Sequence, residues 1–68
     1  MKVKLTRQDM TTLGALDRGM SASDIVSTFH MSKSALTRTV HRLEEYGLFR
    51  SGSTTAEGRA ALKRYFGQ

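Results

Sequence analysis

The chain has no cysteine and no proline, few acids, and no long apolar run. Without cysteine there can be neither disulfide staples nor thiolate metal sites, as expected of a protein from a reducing cytoplasm. Without proline, punctuation between segments falls to the glycines, of which Gly19, Gly47 and Gly52 are the natural breaks. No apolar stretch approaches the roughly 20 residues of a membrane span, and the N-terminus, although it carries Lys2 and Lys4, has no signal-type apolar segment. A soluble, cytoplasmic protein is expected. Six Asp and Glu stand against eleven Lys and Arg, a formal charge of +5, and the pI is near 10.3. That surplus is an electrostatic footprint for a polyanion, nucleic acid first. With 68 residues, the chain is expected to be one domain spanning 1–68. It lies near the lower size at which a single core holds, with little to spare for an enclosed active site.

What is present is a repeated helix-start pattern. Thr6 with Asp9, Ser21 with Asp24, and Thr54 with Glu57 each place a hydroxyl three residues ahead of an acid. The hydroxyl accepts an orphan first-turn amide and the carboxylate reaches back, so an all-α plan of about four helices is predicted. The first helix is expected over 7–18, with Met10 and Leu13 inward and Gly19 closing it. The second is expected over 22–30 with Ile25, Val26 and Phe29 on one face. Ser32 caps a third over 33–46, whose Leu36, Val40 and Leu43 point inward, and Gly47 ends it. Leu48 to Arg50 reads as a short extended piece and Ser51, Gly52 and Ser53 as a tight turn, a minimal β-hairpin. A last helix over 56–66 offers Leu62, Tyr65 and Phe66 to the core or to a second subunit. Its cap is Thr54 or Thr55, with the acid spacing favouring Thr54.

The third helix carries the chemistry. Ser34, Arg38, His41 and Glu45 lie opposite Leu36, Val40 and Leu43, with Lys33 and Thr37 on one flank and Arg42 on the other. A helix fits the major groove of B-DNA, where Arg or Lys bridges guanine acceptors and hydroxyls contact several base edges. Lys33, Ser34, Thr37 and Arg38 occupy the first turns, which meet bases, whereas His41 and Arg42 are placed for phosphate. The helix starts at Ser21 and Ser32 expose amides suited to phosphate oxygens, and Arg50 beside the hairpin is a further phosphate or minor-groove contact. The alternative is a plain solvated face, and Glu44 and Glu45 would repel DNA if they faced it. A short helix, the break His30, Met31 and Ser32, and a longer helix together give the connection of a helix-turn-helix, with Met31 as a plug beneath the turn.

LTRTVHRLEEYGLFRS followed by TTAEGRAAL resembles the winged-helix regulators of the MarR type. In these the recognition helix ends in a leucine, two acids and a Gly-Leu pair, and the wing returns into a Thr-x-Glu-Gly-Arg helix start. The matching residues are Leu43, Glu44, Glu45, Gly47 and Leu48, then Thr55, Glu57, Gly58 and Arg59, within a resemblance spanning about 21–62. It implies a winged helix-turn-helix, DNA binding and transcription regulation. Two departures stand out: the wing keeps only Ser51, Gly52 and Ser53 between Arg50 and Thr54, and the long terminal helices used for dimerisation and ligand binding have no counterpart. Ligand control is therefore not carried over. The small size is like that of compact regulators of phages and mobile elements.

No metal or other cofactor is expected, because His30 and His41 have no third ligand at a suitable spacing. Nor is an enzyme expected, there being no nucleophile with a base and no phosphate loop. Specific binding needs about 4–10 kcal/mol over non-specific binding, and each bidentate base contact supplies about 1–3, so one copy of this helix is a weak reader. A homodimer through the first or last helix, on half-sites about 10 bp or a multiple apart, meets that need. The competing reading is a winged-helix interaction module that binds a larger protein partner.

Overall fold

The structure, a computed structural model, describes residues 4–67. Four helices and one hairpin follow in order: α1 Arg7–Asp17, α2 Ala22–Thr28, α3 Lys33–Glu45, β1 Phe49–Arg50, β2 Ser53–Thr54 and α4 Ala56–Tyr65. Every helix starts behind a hydroxyl residue in extended conformation. Thr6, Ser21, Ser32 and Thr55 accept the amides of Asp9, Asp24, Ala35 and Gly58. At Thr6 the box is complete, because Asp9 Oδ2 also accepts the Thr6 amide at 2.9 Å. The last helix departs from the acid-spacing expectation. Thr55 is its cap, and the cap bond goes to Gly58 at 3.0 Å rather than from Thr54 to Glu57. Tertiary contact decides the one-residue shift, since the Thr55 hydroxyl also donates to the Gly47 carbonyl at 2.7 Å and its amide donates to the Leu48 carbonyl at 3.0 Å.

α1 and α3 end alike. The amides of Gly19 and Met20 donate to Leu16 and Ala15, and those of Gly47 and Leu48 donate to Glu44 and Leu43, at 3.0–3.1 Å. These paired bonds close over a left-handed residue, φ +87° at Gly19 and +74° at Gly47, which glycine adopts at no steric cost. Behind α2 the wider bond of the pair recurs over His30, φ 54°, with the Met31 amide donating to Val26 at 3.2 Å. The chain thereby turns sharply from α2 into α3, and Met31 is buried beneath the turn.

β1 and β2 pair antiparallel with Phe49 opposite Thr54 and Arg50 opposite Ser53. The two turn residues, Ser51 at φ 53° and Gly52 at φ 79°, both have the positive φ of a type I′ connection. α1 packs against both α3 and α4, and α2 against α3. Met10, Leu13, Leu43, Leu48 and Phe49 form one half of the core, and Ala15, Ile25, Met31 and Leu36 the other. Half-buried Leu16 and Val40 touch both halves and join them. From α4 the half-buried Ala61 and Leu62 pack on this core; Tyr65 and Phe66 stand 48% and 44% exposed, stacked edge to face at 5.1 Å. Among the described residues no helix is long and apolar enough to cross a membrane.

Candidate nucleic-acid interface

The face of α3 follows from its sequence. Lys33, Ser34, Thr37, Arg38 and His41 stand at i, i+1, i+4, i+5 and i+8, the spacing of one helical stripe, and all five are exposed. Opposite them Leu36, Thr39 and Leu43 are buried, with Leu36 and Leu43 in the core. Thirteen residues give α3 a length of about 20 Å. It runs through most of the width of a body only 28 × 26 × 22 Å across. Glu44 and Glu45 lie on the same side one turn beyond His41, so the stripe is cationic and hydroxylic at its start and acidic at its end.

Beside the first turn of α3 runs a groove of about 450 Å³, lined by Ala22, Ser23 and Val26 of α2 and by Lys33, Leu36 and Thr37 of α3. Its lining mixes apolar Ala22, Val26 and Leu36 with polar Ser23, Lys33 and Thr37. The groove lies between the two helices of the helix-turn-helix. The Ser32 oxygen accepts the Ala35 amide at 3.0 Å, leaving other first-turn amides of α3 open to an anion. Ser21 caps a helix of only seven residues, and Asp24 in its first turn already answers the positive helix end. Arg50 is exposed at the end of β1. The hairpin, with two residues to each strand, gives it little reach.

Arg42 does not face outward with the others. Its Nε and Nη2 donate to Oδ2 and Oδ1 of Asp9, both at 3.0 Å, a bidentate pair between α3 and α1. Asp9 is 1% exposed, so capping is only half of its role. Burial pushes its carboxyl upward, but the Arg42 hydrogen bonds and charge and the Thr6 bonds outweigh that and hold it below the ordinary 3.8. Asp9 likewise raises the Arg42 guanidinium above its usual value. Sequence reasoning had a sufficient local job for Asp9 in the cap. The sequence signal of a second job is that Arg42 lies on a flank of α3 and not on its outer face. Among the described residues no group of three or more His, Cys, Asp or Glu is arranged to hold a metal.

Comparison with known proteins adds one finding. No curated protein and no solved structure matches the chain. The family model described as "MarR family" matches residues 5–59, which take in α1, the turn from α2 into α3, the hairpin and the start of α4. With its helix-turn-helix, its two-stranded wing and a match over most of its length, the chain belongs to the MarR family.

Proposed function

We propose that this winged helix-turn-helix is a sequence-specific double-stranded DNA-binding protein, a small transcriptional regulator that reads the major groove with α3. The observation that carries the reading is the exposed stripe of Lys33, Ser34, Thr37, Arg38 and His41 opposite a buried Leu36 and Leu43. Arg38 and Lys33 are the side chains for guanine, Ser34 and Thr37 for neighbouring base edges. His41, Arg50 and the amides behind Ser32 serve phosphates. Membership of a regulator family supports this role and not an enzymatic one.

One copy offers too few base contacts for specific recognition, and the reading therefore includes a homodimer. Tyr65 and Phe66, both exposed large apolar side chains near the end of α4, favour the last helix as its contact.

The test is selection from random duplexes at two salt concentrations, followed by binding of Arg38→Ala. A recovered palindrome with half-sites about 10 bp or a multiple apart is expected. So is an affinity falling with salt at a log-log slope near −0.9 per phosphate contact. Arg38→Ala should flatten preference at one base pair. Unchanged preference in that variant, or no duplex preferred by the wild type, would reject the reading in favour of a protein-binding module.

A further inference from the structure

On the reading that α3 meets DNA, we infer that the Asp9–Arg42 ion pair is a positioning device for the recognition helix, setting which bases Lys33 and Arg38 reach from a point that touches no DNA. The two residues stand 33 apart in sequence and tie the first turn of α1 to the last turn of α3. Asp9 is held by Thr6 as well as by Arg42. Its amide donates to Thr6 Oγ1 at 3.1 Å and its carboxylate accepts the Thr6 amide at 2.9 Å. Against that fixed carboxylate the guanidinium lays two parallel bonds of 3.0 Å, and a planar fork of this kind specifies direction as well as distance.

Besides this pair, α1 and α3 share an apolar core cluster that includes Met10, Leu13 and Leu43, and burial of that kind is non-directional. The lever is long. Lys33 lies nine residues from Arg42, about 14 Å along the helix, so a swing of ~10° at the clamp moves the base-reading turn by about 2 Å. A binding constellation tolerates only about 0.5 Å. The clamp has a second effect: a guanidinium committed to Asp9 adds nothing to sequence-independent attraction for phosphate, which favours discrimination over bulk affinity.

Two measurements test the inference, one without DNA. Residual dipolar couplings of the wild type, Arg42→Lys and Asp9→Asn report the orientation of α3 relative to α1. The variants are expected to show α3 turned or more mobile against α1. Arg42→Lys keeps the charge and loses the fork, and it serves as the readout if Asp9→Asn fails to fold. The second measurement compares affinity for the duplex selected by the wild type with affinity for the same duplex scrambled. In the variants that ratio should fall by about tenfold, the scale of one good base contact, while the salt slope becomes no shallower than that of the wild type. A slope shallower by about 0.9 in an Arg42→Met variant with the ratio kept would make Arg42 a phosphate contact and overturn the inference. A lower Tm with helix orientation and ratio both unchanged would overturn it too, leaving the pair as a fold contact only. A wild type without sequence preference would reject the DNA-reading role, and the couplings would still decide whether the pair orients the helix.

Discussion

The Thr55 hydroxyl donates to the Gly47 carbonyl at 2.7 Å while accepting the Gly58 amide at 3.0 Å, so one oxygen closes the end of α3 onto the start of α4. The hairpin between them is thereby pinned at its base. Thr55→Val keeps the shape and deletes both bonds. A lost cap costs about 1 kcal/mol, and an unanswered carbonyl about as much again. At roughly 4–8 °C per kcal/mol for a domain this small, Tm should fall by on the order of 10 °C. Thr55→Ser keeps the oxygen and should recover most of the loss. Thermal denaturation followed by circular dichroism checks both variants.

Gly58 sits where no side chain fits. A Cβ there would lie 2.1 Å from the Leu48 carbonyl oxygen and 2.8 Å from Thr54 Cγ2, and the first of these is backbone that cannot turn aside. In an open helix Gly→Ala gains about 1 kcal/mol of propensity. Here overpacking of about 1–3 kcal/mol opposes it, with the backbone contact favouring the upper end. Gly58→Ala should therefore lower stability in urea denaturation, whereas a rise would show that the wing and α4 can part freely.

The wing turn is held by an unfavourable residue. Ser51 has φ 53°, a conformation that costs an ordinary L-residue about 1–2 kcal/mol, and Asn is better suited to the first position of an Asn-Gly type I′ turn. Ser51→Asn should recover a few tenths of a kcal/mol to about 1, measured as a raised urea midpoint. Ser51→Val, β-branched at positive φ, should lower it.

Much of this molecule is local and therefore legible. The caps at Thr6, Ser21 and Ser32, and the inward stripe of Leu36, Val40 and Leu43, follow from spacings within a few residues. So does the exposed stripe of Lys33, Ser34, Thr37, Arg38 and His41. What escaped is decided between elements. A helical wheel shows Arg42 on a flank but not that α1 lies against that flank, so a residue expected at phosphate proves to be bound to Asp9. The choice of Thr55 over Thr54 rests on a carbonyl eight residues back at Gly47. His30 gives no signal of its left-handed turn, because that role is usually written as glycine. Tyr65 and Phe66 read as core or interface from sequence, and the structure leaves both at the surface.

The Asp9–Arg42 pair makes a claim about acid. The Asp9 carboxyl is held below its ordinary 3.8 when folded, so the folded state binds that proton less readily than the unfolded chain does. Its contribution is then complete above the unfolded value and is lost as pH falls through the folded one. Stability attributable to Asp9 should be level from about pH 7 to about pH 5 and decline below about pH 4. Other carboxylates titrate in the same window, so the wild-type curve alone does not isolate it. The difference between wild type and Asp9→Asn does. Asn cannot carry the charge that pairs with Arg42, and removing one partner of a buried pair costs about 3–5 kcal/mol, less here because Arg42 is 26% exposed. The gap between the two proteins should be about 2–3 kcal/mol at neutral pH and should narrow steadily below pH ~4 as the wild-type carboxyl takes up its proton. A gap that stays constant down to pH ~2 would mean that Asp9 acts through its shape and cap bonds, not through its charge on Arg42.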